Sequence, residues 1–184
     1  MLASLAALAL LSTPVAEPGL AVGDSFAAFE PFHVSGPYAG GTMCPVCEYM
    51  NLPMVYVWTD PTDAAIPATA ATLQAAVTKF GPKAMKTFVL DLNRAGKDKD
   101  SVAALTTLSK SESFKATPQV WLLSRPKKLQ AVVKDHALAP WDKYRSLTYL
   151  VRNRKVVAKF VDLTKSDEDQ ARLANAIADL MDAG

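Results

Sequence analysis

Cys44 and Cys47 are the two cysteines of the chain, and Pro45 and Val46 stand between them. Sulfurs at that spacing reach one another for a tight disulfide, and they equally form two corners of a tetrahedral metal site. Three chemistries are open to such a pair. As an exchange-active dithiol, one thiolate attacks the disulfide of a protein partner and the other resolves the mixed disulfide, with no cofactor required. As a metal site, the pair draws on its neighbours: His33 precedes the loop, and Met43, Met50 and Met54 bracket the cysteines. Thiolate, imidazole and thioether suit Cu(I), or with another fourth ligand Zn(II). As a permanent staple, the pair would rigidify a Gly-rich loop, although closing so short a loop adds little entropic stability. His33 and the methionines also have plain readings, as a hydrogen-bonded strand residue and as packing.

The rest of the chain limits what this pair can serve. At 184 residues the sequence fits one domain with a sizeable core. Twenty basic and eighteen acidic side chains leave a net charge of +2, too little for a surface that neutralises phosphates, so no nucleic-acid partner is expected. Half of the residues, 50%, are hydrophobic, which argues against disorder. No phosphate-cradling glycine motif, nucleophile elbow or zinc-protease helix is present.

Residues 1–16 are an apolar run followed by small residues, similar to a secretory leader cleaved after Ala16, although no Lys or Arg precedes the run and Pro14 lies close to the cut. The expectation is an exported protein, periplasmic or extracellular, with a mature domain over 20–184; the competing reading is a buried N-terminal helix. Export matters to the cysteines, because a disulfide persists in an oxidising compartment. No later stretch is apolar enough to span a bilayer.

The elements that would position the pair follow from periodicity and turn residues. Phe26 to Val34 reads as a strand, and 35–41, rich in Gly and Pro, as a loop leading into the cysteines, either a hairpin or an extended excursion. Met54 to Thr59 is a short apolar run expected to be a buried central strand. A helix with Leu73, Ala76, Val77 and Phe80 on one face follows, and ends at Gly81-Pro82. A second strand over 87–93, a helix beginning near Ser101, a third strand over 118–123 and a short helix within 127–138 continue the alternation. Residues 147–151 and 155–161 flank a polar turn as a hairpin. Ser166 caps a last helix with Leu173, Ile177, Leu180 and Met181 as its buried stripe. His136 beside Asp135 reads as part of a solvated face, Lys97-Asp98-Lys99 and Lys127-Lys128 as solvated turns, and Trp58, Trp121 and Trp141 as core or rim aromatics.

That order of elements resembles the thioredoxin-like fold, and within it the peroxiredoxin and redoxin branch, over roughly residues 20–182. The strand at Thr117-Pro118-Gln119-Val120-Trp121-Leu122-Leu123 and the hairpin around Arg152-Asn153-Arg154-Lys155 carry the resemblance. It implies an α/β architecture: a mixed sheet with helices on both faces and an N-terminal β extension. It also implies a reactive cysteine just after the first core strand, where Asp60-Pro61-Thr62-Asp63 stands instead. Peroxidase activity of the usual type is therefore not expected. The resemblance further implies a cis-proline ahead of the hairpin strand, but Lys143 to Ser146 contains none; Thr117-Pro118 fills that place only in the shorter thioredoxin order, with 125–145 inserted. Under the redoxin order, the strand over 54–59 spans about 17 Å. The cysteine pair then belongs at the opposite end of the sheet from the place the resemblance assigns to chemistry.

Overall fold

The continuous apolar run Met54–Thr59 forms strand β2, buried along its whole length because layers cover both faces of the sheet. The structure, a computed structural model, describes residues 17–92, 98–126 and 129–183. The expected leader over 1–16, Lys97 and Lys127-Lys128 lie outside the described residues.

Strand β2 pairs in parallel with β3 (Lys86–Asp91), which pairs in parallel with β4 (Val120–Pro126). On its other side β2 pairs antiparallel with β5 (Ser146–Arg152), and β6 (Lys155–Val161) completes the hairpin. Strand β1 (Pro31–His33) lies antiparallel on the outer edge of β4, so the six strands run β1-β4-β3-β2-β5-β6. The antiparallel neighbour of β2 is β5, and not β4, so of the two orders the sequence left open the chain has the longer one. The hairpin turn is Asn153-Arg154, with φ of 50° and 61°, the left-handed pair that a two-residue turn matching the twist of its strands requires.

Alternation along each strand divides the core in two. On one face α2 (Ile66–Phe80), α3 (Asp98–Ser109), α4 (Glu112–Lys115) and α6 (Asp167–Asp182) bury Leu73, Leu105, Phe114 and Leu173 against Val55, Val57, Val89 and Leu122. On the other, α1 (Pro45–Tyr49), α5 (Leu129–Asp135) and the N-terminal segment bury Val46, Val132, Phe26 and Phe29 against Tyr56, Trp58, Phe88 and Tyr149. The ends of α2 and α6 are as the sequence implies. Gly81, at φ 97°, donates its N–H to Val77 and stops α2, and the Ser166 hydroxyl accepts from the Asp169 N–H to start α6.

Three sequence expectations are corrected. The first strand occupies only 31–33 of the expected 26–34. Phe26 and Phe29 both point into the core, a spacing of three that the two-residue period of a strand cannot satisfy. Next, β4 begins at Val120, and a four-residue helix, α4, fills the approach to it. Third, His136 is not on a solvated face. It is fully buried, its ring nitrogens 3.0 Å from the Val132 carbonyl and 3.1 Å from that of Ala27, with Phe26, Phe29 and Trp58 around the ring.

That burial pushes the His136 pKa below its ordinary value, outweighing the two carbonyl contacts and the Asp135 charge, which favour the imidazolium. Burial shifts His33 in the same direction. The unfolded chain therefore binds these protons at higher pH than the fold does, so stability present above the ordinary histidine range is lost as pH falls into and through it. Thermal unfolding followed from about pH 8 to about pH 5 should show a falling Tm. The slope should be shallower in His136→Gln; an unchanged slope would remove His136 as its source.

Candidate redox site

The residues before the cysteines form a small hairpin laid on the edge of the sheet. Val34 donates its N–H to the Leu122 carbonyl at 2.9 Å, and the Leu122 N–H donates to the Ser35 hydroxyl at 2.8 Å, so the pairing of β1 with β4 continues beyond β1. The chain then turns at Gly36, whose φ is +88° and where a Cβ would come within 2.7 Å of the Trp121 ring. Only a residue without a side chain sits flat on that indole. The return arm is tied to His33: its N–H donates to Gly41 at 2.8 Å, its carbonyl accepts from Gly40 at 2.9 Å, and its Nε2 lies 3.1 Å from the Met43 carbonyl. Of the two loop forms the sequence allowed, the structure has the hairpin, and it ends at Cys44.

Cys44 and Cys47 form a disulfide across α1, with Cα atoms 5.3 Å apart. Cys44 is the cap of the helix, and its Sγ accepts the Cys47 N–H at 3.1 Å. Pro45 opens the helix, where its missing N–H costs nothing. Val46 is 1% exposed and anchors the turn in the core, and Cys44 is half-buried against the same cluster, whereas Cys47 and Glu48 are exposed. The anchor continues through Tyr49, which packs on Phe88 and Trp121 at ring distances of 6.3 and 5.9 Å. Lys86 places its Nζ 5.1 Å from the Tyr49 ring and 5.4 Å from that of Trp121, a shared cation–π contact, and desolvation there lowers its pKa. Partial burial, with the Tyr38 and Glu48 charges adding, pushes the Tyr49 phenol up to about 12. The Tyr38 hydroxyl donates to Glu48 at 2.8 Å, closing the hairpin onto the helix.

Tyr49 meets Lys86, the first residue of β3, which is level with Met54 of β2, so the C-terminal end of α1 lies over the start of the parallel strands. At the other end of β2, Asp60 accepts from the N–H and hydroxyl of Thr62 at 2.9 and 2.6 Å, and Asp63 accepts from the Ala65 N–H at 2.9 Å. The position that the resemblance assigns to a reactive thiol is thus a carboxylate-braced turn. A cis peptide bond precedes Pro140, in the loop ahead of β5 and upstream of Lys143 to Ser146; Thr117-Pro118 is not cis.

The donors proposed for a metal are dispersed. Nε2 of His33 is engaged by the Met43 carbonyl, while Nδ1 is buried without a hydrogen-bond partner. Met54 is core, its sulfur accepting the Tyr56 hydroxyl at 3.1 Å, and Met50 is 54% exposed at φ 35°. Among the described residues no group of three His, Cys, Asp or Glu side chains is placed to hold a metal ion. Tyr38, Lys86 and Trp121 were not singled out as site residues by sequence, because only the folding of the hairpin and α1 onto β3 and β4 brings them to the helix that carries the pair.

The mixed six-stranded sheet with helices on both faces is a thioredoxin-like α/β fold. No protein-family model and no curated protein sequence matches the chain. Among solved structures, a thiol:disulfide interchange protein from a Bacteroides species is similar at 18% identity and a TM-score of 0.58, covering 89% of this chain and 91% of its own. AhpC of Mycobacterium tuberculosis is similar at 14% identity and a TM-score of 0.64, covering 88% and 99%. Copper-bound ScoI of Arabidopsis thaliana is similar at 13% identity and a TM-score of 0.59, covering 89% and 100%. At these identities the likeness is one of fold.

Proposed function

We propose that this chain is an exported thiol–disulfide redox protein in which Cys44 and Cys47 cycle between disulfide and dithiol. The observation that carries this reading is a disulfide, exposed at Cys47, presented by a hairpin that is braced on the sheet of a thioredoxin-like fold. The bond closes a loop too short to lower the entropy of the unfolded chain by much, so stability alone is a weak reason for it. An interchange protein among the similar structures fits the same chemistry, and the leader-like residues 1–16 fit an oxidising compartment. Peroxide reduction of the redoxin type is not proposed, because the turn after β2 holds no thiol.

The test is a titration of the purified protein in glutathione redox buffers, with thiols counted by alkylation and mass, together with elemental analysis. A reversible midpoint between about −270 and −120 mV, without metal, is the expected result, and Cys44→Ser or Cys47→Ser should abolish it. A pair still oxidised below about −300 mV would be a staple. Copper or zinc bound in proportion to the chain, and lost in either serine variant, would make the protein a metal carrier.

A further inference from the structure

We infer that Cys47, the second cysteine of the motif, is the sulfur that exchanges with a partner's thiol, and that Cys44 is the leaving and resolving sulfur. The inference rests on the redox reading above and assigns direction to it. Two observations carry it. Cys47 is exposed, whereas Cys44 is half-buried, packed against the core beside buried Pro45 and Val46. Cys44 also has a donor aimed at its sulfur, the Cys47 N–H at 3.1 Å, ready to stabilise the charge that forms when the disulfide opens.

Displacement at sulfur is governed by access to the attacked atom and by the stability of the departing thiolate. Both favour attack at Cys47. A thiolate of a peptide or protein dithiol forms a bond to Cys47 Sγ as the Cys47–Cys44 bond breaks, and the bonding pair leaves on Cys44 Sγ as thiolate. The partner's second thiolate then attacks its own sulfur in the mixed disulfide, and Cys47 departs as thiolate. The partner loses two electrons and two protons to become a disulfide, and the protein pair gains them. In the opposite direction reduced Cys47 attacks a partner disulfide, and the Cys44 thiolate resolves the mixed disulfide by attacking Cys47 Sγ.

The experiment reacts the oxidised protein with glutathione, quenches in acid and locates the attached glutathione by fragment mass spectrometry. Glutathione on Cys47 is expected; glutathione on Cys44 overturns the inference. Since resolution by Cys44 can shorten the life of the adduct, Cys44→Ser and Cys47→Ser are also reacted with glutathione disulfide near pH 9.5, above the ordinary thiol range of about 8.5. The variant retaining Cys47 should be modified about ten-fold faster when folded, with the difference vanishing in denaturant; equal rates, or faster reaction of the variant retaining Cys44, overturn the assignment. A wild-type pair that titrates reversibly but carries glutathione on Cys44 rejects the assignment alone. A pair that does not titrate rejects the redox reading with it.

Discussion

Phe26→Ala is expected to destabilise the protein by about 3–5 kcal/mol, the range for removing a buried aromatic ring. Phe26 is 0% exposed and stacks on Tyr56 at 4.7 Å, with Phe29, His136 and Tyr149 against its edges and face at 4.5–6.3 Å. The segment that carries it has almost no regular structure and is held by a few backbone bonds to β6 and its turn: Gly23 to Val156 at 2.8 Å, Phe26 to Arg154 at 2.8 Å, and Val156 to Asp24 at 3.0 Å. The ring therefore helps close the face of the sheet that α1 and α5 cover. Chemical denaturation would read the loss as a lower midpoint at unchanged slope. A loss below about 1 kcal/mol would mean that 17–30 is not part of the cooperative core.

Trp121→Ala is expected to cost a similar amount, about 3–5 kcal/mol, and also to change the chemistry of the disulfide. Trp121 is 7% exposed, lies 5.7 Å from the Phe88 ring, and is the floor on which Gly36, Tyr49 and the Lys86 ammonium rest. Without it the hairpin keeps its bonds to Leu122 but loses the surface beneath its turn. The Cys44–Cys47 bond should then be reduced faster by dithiothreitol, because Cys44 is no longer held against the core. Trp121→Phe, which keeps a ring there, should fall between the two proteins in both stability and rate. Unchanged reduction in a destabilised Trp121→Ala would show that the indole supports the sheet and not the pair.

Much of this protein could be read one element at a time. The buried run of β2, the Gly81 stop of α2, the Asn153-Arg154 turn and the Ser166 cap each depend on residues within a few positions of one another. The Cys44-Pro45-Val46-Cys47 motif is equally local, and so is the lack of a thiol after β2.

What the chain could not disclose locally is which groups its ends would bring together. His136 looks like a surface residue beside a charge, and becomes a buried one because Ala27, 109 positions earlier, supplies a carbonyl and Phe26 and Phe29 close over the ring. Phe26 to Val34 looks like one strand, yet only the part that finds the free edge of β4 becomes one, because a strand exists only where a partner accepts its hydrogen bonds. The difference between Cys44 and Cys47 has the same origin. Both are the same residue type in one short motif, and tertiary packing alone, by seating Tyr49 on β3 and β4 and Val46 in the core, leaves Cys44 half-buried and Cys47 exposed.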